Sequence, residues 1–164
     1  MAREFLSDNI WHDPEGTGYV MLDATNDVPP QIPTTINGEV LYPKAEYHCS
    51  LVDTRAHIED RALEEQFIED IKRFLARHAI SVTSISDERL LCREKEKTTI
   101  VAPVILDGLD DFIGFVQERI PRFQAPWTHV TLLKTAETKY GIALPTQEEV
   151  AEYCRPMDIS GRPT

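Results

Sequence analysis

No run of apolar residues in this 164-residue chain approaches the roughly 18 that a membrane-crossing helix needs. The first residues, Met1-Ala2-Arg3-Glu4-Phe5-Leu6-Ser7-Asp8, lack the apolar core of a signal peptide. There is no Lys- or Arg-rich stripe. The densest basic run, Arg93-Glu94-Lys95-Glu96-Lys97, alternates in sign and reads as a solvated turn. With 17 basic against 28 acidic residues the formal net charge is −11. Such a surface repels a long polyanion, so a phosphate-bearing partner is expected to be a small nucleotide or an RNA terminus, with no long nucleic acid and no membrane. Cysteine is scarce. Cys49, Cys92 and Cys154 are an odd number without pairing or metal spacing, and the simplest expectation is a reduced, cytoplasmic protein.

What is present is an ordinary globular composition, 41% hydrophobic and 27% charged. The length predicts a single domain over 1–164 with a core from about 17 to 154. The N-terminal extension and the tail from about 155 to 164 are expected to be loosely held.

The pattern along the chain alternates strands and helices. Residues 17–24 read as a strand, and the Pro-rich stretch Val28–Pro33 as neither strand nor helix. Asn37-Gly38 is a two-residue hairpin signal between Thr35-Ile36 and Glu39-Val40-Leu41. A strand over about 45–52 follows. Asp53 or Thr54 can cap a long helix over about 55–78, with Leu63, Phe67, Ile71, Phe74 and Leu75 as its buried stripe. Strands are predicted near 80–85, 88–93 and 98–105, the last two joined by the charged run at 93–97. Asp107 can cap a second helix over about 108–120, with Leu109, Phe112, Ile113, Val116 and Ile120 facing inward. A strand over about 127–134 and a short helix over about 147–154, opened by the capping box Thr146-Gln-Glu-Glu149, complete an α+β arrangement.

Two tripeptides carry the chemistry: His48-Cys49-Ser50 and His129-Val130-Thr131. Each lies in a strand-like run, where residues i and i+2 share a face. Each therefore aims an imidazole and a hydroxyl one way, and sends Cys49 or Val130 to the other. The same parity nominates Trp127, two residues before His129, to stack on a base, and Lys44, four before His48, to meet a phosphate. Tyr19 and Lys134 are weaker nominees. His48, Asp53 and His57 could be drawn as metal ligands, but Asp53 suits a helix cap better. No metal and no cofactor are expected.

The runs Tyr47-His48-Cys49-Ser50-Leu51 and Thr128-His129-Val130-Thr131-Leu132 together resemble the paired motif of the two-histidine (2H) phosphoesterase superfamily, which includes the LigT-like RNA ligase/cyclic phosphodiesterases. The family pattern is apolar, His, apolar, Thr or Ser, apolar, occurring twice; Ser50 takes the tolerated Ser in place of Thr, and Thr128 is polar where an apolar residue is usual. The resemblance implies a bilobal α+β fold in which two antiparallel sheets form a concave cleft with helices packed outside. It implies metal-independent hydrolysis of a 2′,3′-cyclic phosphate or a small 2′,5′- or 3′,5′-linked nucleotide, with His48 and His129 as catalysts and Ser50 and Thr131 binding the phosphate; Trp127 and Lys44 join the substrate-binding set on parity alone, since no family motif fixes them. The alternatives it leaves open are a non-catalytic nucleotide or RNA-end binding module of the same fold, and RNA 2′,5′ ligation. Histidine suits such work because its ordinary pKa, about 6.5, lets one imidazole take a proton while another gives one.

Overall fold

A computed structural model describes residues 3–135 and 147–157. Its elements run β1 (Glu4–Phe5), β2 (Ile10–His12), β3 (Tyr19–Asp23), β4 (Thr34–Ile36), β5 (Glu39–Pro43), β6 (His48–Asp53), α1 (Thr54–His57), α2 (Arg61–Leu75), β7 (Ser81–Ile85), β8 (Arg89–Glu94), β9 (Lys97–Asp107), α3 (Leu109–Arg119), β10 (His129–Thr135), α4 (Gln147–Tyr153) and β11 (Cys154–Met157). The strands make two sheets, every described pairing antiparallel. One has the order β1-β2-β3-β6, the other β11-β8-β9-β10-β5-β4 with β7 also on β9. This is the α+β class read from the sequence.

The two sheets share a main core. Ile10, Leu22, Cys49 and Leu51 from the first sheet meet Leu41, Ile100, Val130 and Leu132 from the second, and Phe67, Ile71, Phe112 and Val116 close it from α2 and α3. A satellite core lies on the other face of the second sheet, where Leu90, Cys92, Val101, Val150 and Cys154 pack with Trp127 and Tyr153. Asn37 and Gly38 both take positive φ, and Ile36 pairs directly with Glu39, the geometry of a two-residue hairpin turn.

Several expectations need correction. The helix predicted over 55–78 is two helices. Asp53 accepts from the backbone N–H groups of Arg55 and Ala56 to start α1, Ile58 is extended, and Asp60 accepts from Leu63 N–H to start α2. Two Asp caps seven residues apart favour two starts over one continuous helix. Leu63 sits in the first turn of α2 and is exposed, while Ile68 is buried in its place. Asp107 does not cap α3. The cap is Gly108 in the left-handed region, where a Cβ would meet the carbonyl oxygen of Ala79 at 2.3 Å, so only glycine fits the approach.

The N-terminal extension is not loose. It contributes β1 and β2, with Leu6, Ile10 and Trp11 buried. Residues 154–157, assigned to the helix end and the tail, form β11. Thr146 of the expected capping box, and residues 158–164 of the tail, lie outside the described residues. The cysteines are not all free: β11 pairs with β8 so that Cys154 faces Cys92, and the two form a disulfide across a separation of 62 residues. Sequence spacing could not show this, because strand register brings them together. Cys49 is free and buried. No described helix is long and apolar enough to cross a membrane.

Candidate functional site

β6 and β10 carry the two motifs on matching local geometry. In β6, His48 and Ser50 are half-buried while Cys49, Leu51 and Val52 are buried; in β10, His129 and Thr131 are half-buried while Val130, Leu132 and Leu133 are buried. Against β3, the pairing steps from Met21–Ser50 to Val20–Val52, leaving Leu51 as an extra residue. Against β9, it steps from Thr131–Val101 to Leu133–Ile100, leaving Leu132 extra. Each motif strand thus carries a one-residue bulge directly after its hydroxyl residue. Such bulges re-aim side chains and increase local twist. The likeness between the two halves, too faint in the letters, is plain in the backbone.

The strands meet. β6, the edge of its sheet, contacts β10, and the backbone of His129 lies close enough to the Cys49 thiol to influence it. The charge of His129 is felt at His48, and that of Lys44 at both imidazoles. The sequence-nominated His48, His129 and Lys44 are therefore one cluster. Ser50 and Thr131 share the faces of their histidines, and neither hydroxyl is engaged by another described residue.

Each imidazole is held by a tryptophan, and these are the two tryptophans of the chain. Trp127 stacks on His129 with ring centroids 4.7 Å apart, and its carbonyl lies 2.9 Å from His129 Nδ1. That carbonyl can only accept, so Nδ1 carries the proton and Nε2 is the working nitrogen. Trp11 meets His48 edge-on at 5.9 Å, and the guanidinium of Arg3 lies over the Trp11 ring at 4.4 Å while ion-pairing with Glu46. His48 Nδ1 is buried without a partner, which leaves Nε2 as its accessible nitrogen. Trp11 and Arg3 escaped the sequence reading because they belong to the stretch taken as loose. The placement of Trp11 two strands from His48 follows only from the register of β2, β3 and β6.

Burial is the largest influence on every titratable group here. It draws His48 down to about 3, assisted by the positive charges of Lys44 and Arg3 and by His129; Asp23, opposite His48 on β3, works weakly the other way. Burial also lowers His129, opposed by its bond to the Trp127 carbonyl and assisted by Lys44. Lys44 itself falls to about 8, through burial and then the neighbouring charge of Lys134. Lys44 forms no ion pair with a described residue. A half-buried ammonium that meets no counter-charge among the described residues, beside two imidazoles drawn toward the neutral form, suits an anionic group. The Cys49 thiol is pushed up to about 12 by burial and is inert.

Other nominees play structural parts. Asp53 caps α1, His57 lies edge-on to Phe123, and His78 stacks on Phe74. Tyr19 pairs with Asp53 on β3, and burial raises its pKa. No known family, curated protein or solved structure matches the chain.

Proposed function

We propose that the protein is a phosphodiesterase of the 2H phosphoesterase kind, hydrolysing a 2′,3′-cyclic phosphate or a small 2′,5′- or 3′,5′-linked nucleotide without a metal. The observation that carries this reading is the contact of the two motif strands, which brings both His-x-Ser/Thr motifs together with Lys44, a cation that meets no counter-charge among the described residues. Phosphate would supply a counter-charge to Lys44. On this reading His48, kept neutral by burial and its cationic neighbours, takes the proton of the attacking water at Nε2. The water oxygen attacks phosphorus. His129, whose Nδ1–H is pinned to the Trp127 carbonyl, gives a proton from Nε2 to the departing ribose oxygen. Ser50 and Thr131 donate to the non-bridging oxygens, where charge grows, and Lys44 offsets that charge.

One feature favours a second reading. Both imidazoles are drawn toward the neutral form and neither bonds a carboxylate among the described residues, so the site has no ready acid there. A module that binds a nucleotide or RNA end without turnover fits this as well. The two part in a single assay. Purified protein is given adenosine 2′,3′-cyclic phosphate and short 2′,5′- and 3′,5′-linked dinucleotides, with EDTA present. Turnover unaffected by EDTA, falling by about 10² or more in His48→Ala and in His129→Ala, supports catalysis. Calorimetric binding with no product supports the binding module. Near-wild-type turnover in both variants removes the mechanism.

A further inference from the structure

The second sheet extends the site beyond the histidines along β5. Lys134 pairs with Thr99 of β9 and with Tyr42 of β5, and Thr131 pairs with Val101. Thr99 and Val101 are two apart on one strand and share a face, so the bulge at Leu132 leaves Lys134 on the same face as Thr131 and His129. Tyr42, opposite Lys134, is on that face too. Along β5 the residues of this face are Val40, Tyr42 and, just past the strand's end, Lys44. Successive same-face residues lie about 7 Å apart. That is the reach from a phosphate to a base across one ribose. Tyr42 is 43% exposed and Val40 40% exposed, while the opposite-face Leu41 is fully buried. The Tyr42 ring contacts no other described ring. Trp127 differs: it is stacked on His129 and is partly buried against the satellite core.

We propose that Tyr42, flanked by Val40, is the platform on which a nucleobase stacks while its phosphate lies beside Lys44, so that the ligand is a nucleotide and its base is read by stacking without hydrogen-bond selection. The proposal rests on the reading of the His48–His129 cluster as a phosphoester site. It gives the base-binding part to Tyr42 and leaves Trp127 as the residue that orients His129. An aromatic platform tolerates every base because every base presents a π-face. The aliphatic edge of Val40 covers the remainder of a larger ring.

Calorimetry with adenosine 3′-monophosphate and with ribose 5-phosphate, which has no base, tests this on the wild type, Tyr42→Ala and Tyr42→Phe. Tyr42 is exposed, so neither substitution opens a cavity. Adenosine 3′-monophosphate is expected to bind the wild type about tenfold or more tightly than ribose 5-phosphate, the scale of one base–aromatic stack. Tyr42→Ala should remove most of that ratio and Tyr42→Phe should keep it. A ratio near one in the wild type, a ratio unchanged by Tyr42→Ala, or binding of neither ligand overturns the proposal. Guanosine, cytidine and uridine 3′-monophosphates binding within a few-fold of adenosine support stacking; sharp selection of one base overturns it. The two readings fail differently. Base-dependent binding without turnover of any diester removes the catalytic reading alone, and turnover with no base dependence removes the Tyr42 platform alone.

Discussion

At the scale of single residues, the site is defined by what surrounds each imidazole. A histidine on a strand usually serves the core, and the parity of His-x-Ser and His-x-Thr identifies only which way it points. The surroundings say more. Burial, Lys44 and Arg3 hold His48 near 3, and burial with Lys44 holds His129 below its ordinary value. If one titrates as base and the other as acid, kcat/KM reports these free-protein values. The profile should therefore be a bell on the acid side, rising through about 3 and falling before 6.5, with activity dropping about tenfold per unit above that. Lys44→Met should move both limbs toward higher pH, because its charge depresses both groups, while weakening phosphate binding. An optimum above pH 7, or limbs indifferent to Lys44→Met, would sink the assignment of these groups. Lys44 was legible from strand parity. Its lack of a counter-charge among the described residues was not, since that depends on every strand around it. Tyr42 was missed because its face is fixed by pairing across the Leu132 bulge, a relation invisible in a single strand.

At the scale of elements, local signals worked where structure is local. The Asn37-Gly38 turn, the motif strands and the stripes of α2 and α3 follow from turn chemistry and periodicity. Strands β1, β2 and β11 escaped, being two to four residues long and stabilised by neighbours distant in sequence. Ile10 and Trp11 have no periodic context, yet they become buried once β2 lies on β3. The Cys92–Cys154 bond belongs with these. It ties β11 to β8 and supports the satellite core against which Trp127 rests. A count of thiols checks it. Native protein should show none reactive, because Cys49 is buried and its thiol is pushed up to about 12. Denatured protein should show one without reductant and all three of the chain's cysteines with it. Three thiols without reductant would mean that no bond forms. By chain entropy, a loop of this length should contribute about 4 kcal/mol, a large part of the roughly 5–15 kcal/mol that holds a domain together. Reduction should accordingly lower the denaturant midpoint well beyond experimental scatter.

At the scale of the whole molecule, two opposing forces act on acidification. The charge of −11 strains the folded state at neutral pH, and protonating carboxylates relieves it. The histidines act the other way. His48 and His129 are lowered, and so is His12, which is 2% exposed, has an unpartnered Nδ1 and lies 3.4 Å from Thr54 Oγ1 through Nε2. Burial is the first cause for all three; Glu64 and Glu4 pull His12 upward and Arg55 pulls it down. A lowered folded value means that the unfolded chain binds more protons below about 6.5, so stability rises with pH there and is lost as pH falls. Ordinary carboxylates titrate near 4, so between about 6.5 and 5 the histidines act almost alone. Stability measured by urea denaturation should fall across that window, and added salt should change the slope little, because buried groups are poorly screened. Replacing His48 and His129 together with Gln should flatten the curve without abolishing it, leaving the part that belongs to His12. A curve that is level or rises on acidification through this window would show that relief of surface repulsion outweighs the buried imidazoles.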